Sequence, residues 1–202
     1  IVLSHLDFDH AGGLDDFPGA KVHMLTAEAS YAKEQKTWLD RQRFRPQQWS
    51  YPLQWKTYEA GEGESWNDFN TVRQLEGLPP EILLIPLIGH TFGHAGVAVQ
   101  KDNNQWLFYT GDAYFYHKEM NVDSPECTPG LELYQTMMEK NRKSRLWNQT
   151  RLRELKKTKG DAIEIFCAHD LVEFERLAGQ PYNNPVRQMQ RPSSSDHASY
   201  LS

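Results

Sequence analysis

His5-Leu6-Asp7-Phe8-Asp9-His10, running directly into Ala11-Gly12-Gly13, sets four potential metal ligands within six residues. The apolar run Ile1-Val2-Leu3 precedes it and a glycine pair closes it, so the stretch reads as a buried strand ending in a ligand-bearing loop that turns tightly into a helix. Imidazole nitrogens and carboxylate oxygens are the donors that zinc, iron and manganese accept. Carboxylates and imidazoles crowded at a sheet end are costly unless a cation or solvent satisfies them. The plain alternative, a solvated acidic loop with incidental histidines, makes no use of that density.

Three further segments follow the same rule, an apolar run that stops at a ligand-type residue. Ile82 to Ile88 leads into Gly89-His90-Thr91-Phe92-Gly93-His94. Trp106 to Thr110 leads into Gly111-Asp112-Ala113, and Ile163 to Ala168 leads into His169-Asp170.

Four strand ends carrying His and Asp in this order resemble the metallo-β-lactamase superfamily of metal-dependent hydrolases, over residues 1 to about 175. The resemblance implies an α/β fold, a four-layer αββα sandwich with metals in a cleft at one sheet edge. It assigns His5, Asp7 and His90 to a first metal site, Asp9, His10 and His169 to a second, and Asp112 to the carboxylate bridging both. His94 is expected to be buried behind the ligands. The cofactor implied is zinc, one or two ions in a dinuclear site, with iron or manganese as alternatives. The implied reaction is attack by a metal-bound hydroxide on an ester, lactone, thioester or amide-like carbonyl. Asp112 would orient the nucleophile and Asp9 would assist proton transfer. One of Tyr114, Tyr116 and His117 would face the cleft as an oxyanion donor or proton donor, with ordinary packing as the competing account.

Asp7 departs from the family pattern, which has histidine there. A carboxylate adds one negative charge, which predicts a weaker Lewis acid and a shift of preference from zinc toward iron or manganese. Two rival classes follow. In flavodiiron proteins a carboxylate replaces the same histidine, but this chain shows no flavin domain. A non-catalytic metal-binding member is the other, and every other ligand-type position argues against it.

Composition narrows the partners. Among 202 residues the net charge is −5, with no Lys/Arg stripe suited to phosphates, so a small-molecule substrate is expected and nucleic acid is not. No apolar run approaches the roughly 20 residues of a membrane span, and the oligomeric state is not legible. Cys127 and Cys167 do not form a disulfide framework; Cys167 reads as a small buried thiol. The chain opens inside a strand without an initiator Met, so earlier strands and any signal peptide are expected to lie ahead of Ile1. The cytoplasm is the expected compartment.

Along the chain, Lys21-Val22-His23-Met24-Leu25 reads as a strand, with His23 on the surface or behind the ligands. A capped helix is expected from Thr26 to about Arg43. The stretch from Trp38 to Trp66 holds seven aromatics broken by Pro46, Pro52 and Gly61-Glu62-Gly63, which suits a lid or pocket wall or a satellite core. Lys101-Asp102-Asn103-Asn104 reads as a hairpin turn. Leu131 to Lys143 and Asn148 to Lys157 read as helices, the second with a charged, solvated face. The catalytic domain is expected to span residues 1–179. Residues 180–202 read as a polar, disordered tail.

Overall fold

The computed structural model describes residues 1–50 and 54–181. The expected tail therefore lies almost wholly outside the described residues, as does Tyr51 of the aromatic stretch. Ile1 to Asp170 form one compact unit; of the second, which starts at Leu171, the described element is a single helix, α6 (Leu171–Ala178).

Six strands form the larger sheet: β3 (Glu64–Trp66), β4 (Phe69–Gln74), β5 (Ile82–Pro86), β6 (Ala95–Gln100), β7 (Trp106–Tyr109) and β8 (Ile163–Phe166), hydrogen-bonded in chain order. Neighbours are antiparallel except β7 and β8, which run parallel. A parallel neighbour needs a long crossover, and it contains the helices α4 (Pro129–Met138) and α5 (Arg142–Lys159). A smaller sheet pairs β1 (Lys21–Leu25) in parallel with β2 (Gln54–Tyr58), and its crossover carries α2 (Thr26–Glu34) and α3 (Trp38–Arg43).

Side-chain alternation turns these sheets into layers. On β5, Leu83 and Ile85 join the cluster that includes Leu152 and Leu155 of α5, whereas Leu84 faces the other way and joins Leu25 and Tyr58 of the small sheet. On β1, Val22 and Met24 pack with Ala32 of α2, and Leu25 faces the large sheet. The order is thus α2, small sheet, large sheet, α5, with one apolar cluster in each of the three gaps. Each fully buried large side chain, such as Phe108 or Leu84, contributes about 1.5–3 kcal/mol by leaving water.

Several boundaries differ from the sequence reading. Ile1 to Leu3 are extended but contribute only a bridge, Val2 to His23. The helix expected from Thr26 to Arg43 is two helices, because Gln35 takes a left-handed conformation (φ 45°) and Thr37 starts a new capping box with Asp40. Thr26 itself makes no cap; the residue before α2 is Leu25. His23 is buried, with Nδ1 2.8 Å from the Tyr58 hydroxyl. The face of α5 that packs inward is not purely apolar, since Arg145, Asn148 and Gln149 are buried with Leu152 and Leu155. The hairpin between β6 and β7 is as expected, and both cysteines are free thiols. No helix among the described residues is long and apolar enough to cross a membrane.

Candidate metal centre

Each ligand-type residue sits just past a strand or at one turn of helix. After the extended Ile1 to Leu3, the chain delivers His5 and then folds into the four-residue helix α1 (Phe8–Ala11), with Asp7 as its cap residue. The Asp7 carbonyl accepts from the His10 and Ala11 amides at 2.9 Å, which leaves its carboxylate free to point into the site. His90 follows β5, Asp112 follows β7 and His169 follows β8. Gly111 makes the Asp112 turn possible: its φ is +54°, and a Cβ there would fall 2.7 Å from His94 Nε2 and 2.8 Å from the Ser4 Cβ.

At the second position, His10 Nε2 lies 3.3 Å from His169 Nε2, 3.2 Å from Asp112 Oδ1 and 3.7 Å from Asp9 Oδ2. His169 Nε2 lies 3.3 Å from Asp112 Oδ1 and 3.5 Å from Asp9 Oδ2. A tetrahedral cation with bonds of about 2.0–2.1 Å sets its ligands about 3.3 Å apart, so this donor set fits a transition metal. Asp112 Oδ1 is buried without a well-directed hydrogen bond, although both imidazoles are close; a lone pair left in that state is costly unless a cation takes it.

At the first position, His5 Nε2 is 3.4 Å from Asp7 Oδ2 and 3.7 Å from Asp112 Oδ2. His90 Nε2 is 3.0 Å from Asp7 Oδ2 and 3.4 Å from Asp112 Oδ2. Asp112 thus faces one position with each oxygen. His5 is fully buried, with a bare Nε2 and with Nδ1 3.0 Å from Ser4 Oγ.

One residue in this site has no counterpart in the sequence reading. Arg43, itself buried, donates from Nε to Asp7 Oδ1 at 2.7 Å and from Nη2 to Asp7 Oδ2 at 2.6 Å, and its Nη1 donates to the Met138 carbonyl at 2.7 Å. An antiparallel bridge between Asp7 and Phe44 sets the preceding Arg43 against Asp7. The added negative charge at Asp7, on which the expectation of a weaker Lewis acid rests, is therefore met by a bidentate guanidinium. Arg43 is one of three arginines in Arg41-Gln42-Arg43-Phe44-Arg45, and nothing in that spacing singles it out. The usable signal was physical: a buried carboxylate replacing a neutral imidazole calls for a cation.

The electrostatics follow from burial and pairing. Burial pushes the Asp7 carboxyl up, but His5, His90 and Arg43 outweigh it and hold its pKa well below the usual carboxylate range. Asp112 is held low in the same way by His5, His10 and His169. Burial drives His94 well below the ordinary imidazole value. It donates from Nδ1 to the Leu87 carbonyl at 2.9 Å and accepts the Asp112 amide at Nε2, also at 2.9 Å. That is the buried supporting role expected of it.

Glu28, on α2, was also missed. Fully buried, it accepts from the Leu6 amide at 2.9 Å, from Thr91 Oγ1 at 2.5 Å and from the Gly93 amide at 3.2 Å, joining the loop of His5 and Asp7 to the loop of His90. Its burial raises its pKa to about 7. Gln149 donates to the Ala113 carbonyl at 3.0 Å and Asn148 to the Ile88 carbonyl at 2.8 Å, so α5 braces the Asp112 and His90 loops.

The three aromatic candidates after Asp112 separate. Tyr114 is fully buried in the cluster between the large sheet and α5. His117 grips Asp170 through its backbone amide at 2.7 Å and Nδ1 at 2.8 Å, next to His169 in sequence. Tyr116 packs edge-on against His117, with ring centroids 4.5 Å apart. The Trp38 to Trp66 stretch also divides. Trp49 and Trp55 line a cavity of about 340 Å³ with Leu6, Ala29 and Ala32, Trp66 packs on Phe69, Trp106 and Phe108, and Trp38 is exposed.

Comparison with known proteins identifies a family and a fold. Residues 1–200 match the family model described as the metallo-beta-lactamase superfamily. Two proteins named as probable metallo-hydrolases, from Mycobacterium bovis and Mycobacterium tuberculosis, are each 37% identical over 172 residues, covering 84% of this chain and 54% of theirs. The chain thus spans about half the length of these relatives. Among solved structures, an N-acyl homoserine lactone hydrolase with N-hexanoyl-L-homoserine at its catalytic metal centre superposes with a TM-score of 0.62 at 20% identity, covering 87% of this chain and 57% of that one. A dizinc quorum-quenching lactonase gives 0.53 at 17%, covering 84% and 56%.

Proposed function

The chain belongs to the metallo-beta-lactamase superfamily, and we propose that it serves as a metal-dependent hydrolase of small carbonyl substrates, with lactones and esters the first to test. The observation that carries this reading is the donor set at the second position, where His10 and His169 lie 3.3 Å apart and each stands 3.2–3.7 Å from a carboxylate oxygen of Asp9 and of Asp112. These four residues would hold the metal. When bound, the ion lowers the pKa of water and polarises the oxygen that gains charge.

This chain's own residues account for the rest. Asp112, held rigid by the His94 contact to its amide and by Gln149 behind it, orients the attacking water. Asp9 is the more exposed carboxylate, its side chain 41% accessible, so it is placed to pass a proton to solvent. His117 acts by fixing Asp170 and with it the loop of His169. Tyr114, within the core, is assigned no step. The lactone preference rests on fold neighbours that act on acyl homoserine lactones, and it is a proposal for this chain.

The test is metal analysis of the full-length protein together with turnover on an ester, lactone, thioester and β-lactam panel. His10→Ala/His169→Ala is expected to lose the bound metal and at least about a hundredfold in kcat/KM, the upper end of what losing only a ligand's hydrogen-bond partner costs. Full metal occupancy in that double variant would sink the assignment.

A further inference from the structure

The first metal position is flanked by a cation of the protein's own. Arg43 Nη2 lies 2.6 Å from Asp7 Oδ2 and 3.0 Å from His90 Nε2, and those two donor atoms are 3.0 Å apart. Any metal bonded to both at about 2.1 Å lies no farther than about 3.8 Å from Nη2, on whichever side it enters. A divalent ion and a guanidinium that close repel strongly, and His5, Asp7, His90 and Arg43 are all buried, so little water screens them.

Two more observations point the same way. Both Asp7 oxygens already accept from Arg43, so the residue in the ligand position is already engaged as a counter-ion. A ligating imidazole almost always donates its other N–H to a partner that fixes its tautomer. His90 Nδ1 is buried with no hydrogen-bond partner, in contrast to His5 and His94. Its Nε2 lies 3.0 Å from both Asp7 Oδ2 and Arg43 Nη2, so the ring edge that would face a metal is already taken up by that ion pair.

We propose that Arg43 stands in for the first metal, so that this chain takes one ion per molecule, at Asp9, His10, His169 and Asp112. Asp7 then serves to hold Arg43 and is not a ligand. Charge supports the single ion. Asp7 and Arg43 cancel, and Asp9 and Asp112 together balance one divalent cation. Arg43 thereby gives Asp7 a fixed counter-charge that no chelator removes and no metal shortage depletes. This rests on the hydrolase reading for its second position only.

The experiment is metal stoichiometry of the full-length protein, by mass spectrometry after equilibration with excess zinc and by cobalt titration followed optically. Wild type is expected to saturate at one equivalent. Arg43→Gln, which frees Asp7 as a ligand, is expected to take a second, and Asp7→Asn/Arg43→Gln is expected to stay at one. Arg43→Lys, which keeps the charge, is also expected to stay at one. Circular dichroism and thermal midpoints establish that each variant is folded. Two equivalents in wild type would overturn the inference and leave the hydrolase reading intact. If Arg43→Gln folds but gains no ion, Arg43 is not what closes the first position, and the inference fails on that arm alone. No metal in wild type would overturn both readings.

Discussion

Asp7 and Arg43 form a pair whose worth lies in its completeness. Neither charge reaches water, and the guanidinium makes two charge-assisted bonds to one carboxylate. Removing one partner strands the other, which typically costs about 3–5 kcal/mol, whereas replacing both by apolar groups of similar volume is close to neutral. Asp7→Asn should therefore lower stability by that order, and Asp7→Leu/Arg43→Met by much less. Urea denaturation of the three proteins compares them directly; equal losses in single and double variants would mean the pair is not coupled. The same reasoning explains why a lone Asp7→His is a poor probe of the site, since it restores the family's imidazole while leaving Arg43 unpaired. The sequence showed Asp7 as a departure but not its remedy, because the two residues are 36 positions apart and meet only through the bridge from Asp7 to Phe44.

At the scale of elements, Glu28 links α2 to both ligand loops, and its ionisation is coupled to folding. Its folded pKa of about 7 lies above the ordinary value of 4.5. Between those limits the folded chain keeps a proton that the unfolded chain has released. The stabilisation is therefore full below about 4.5 and lost as pH rises through about 7, an effect on the order of 3 kcal/mol. The difference in unfolding free energy between wild type and Glu28→Gln should shrink by that order from pH 4.5 to pH 8. A difference that does not vary with pH would contradict the assignment. Strands β5, β7 and β8, and the candidate ligands that follow them, were legible because apolar runs ending in His or Asp carry both signals in a few adjacent residues. Glu28, Asn148 and Gln149 were not. Each sits on a helix whose polar residues look like a solvated face until the partner loop is known. The break between α2 and α3 was hidden for a similar reason, since the left-handed turn at Gln35 uses a residue with no special tendency to adopt it.

For the whole molecule, the αββα layering follows from β5 and β6, each apolar on both faces and so able to feed two cores at once. That arrangement brings the loops after β5, β7 and β8 together with the first loop of the chain, and the candidate ligands meet there. The layering was expected from the family resemblance more than from any pattern in the chain, whereas the candidate ligands could be picked out residue by residue. The division of the aromatic stretch among core, cavity wall and surface was not visible, because an aromatic side chain serves all three equally well in composition. The central claim is that one transition metal sits among Asp9, His10, His169 and Asp112. Anomalous diffraction at the metal edge, from crystals of the full-length protein, tests it most directly. The account predicts one anomalous peak about 2.0–2.1 Å from both His10 Nε2 and His169 Nε2; a peak held instead by His5 and His90, or no peak in metal-saturated crystals, would contradict it.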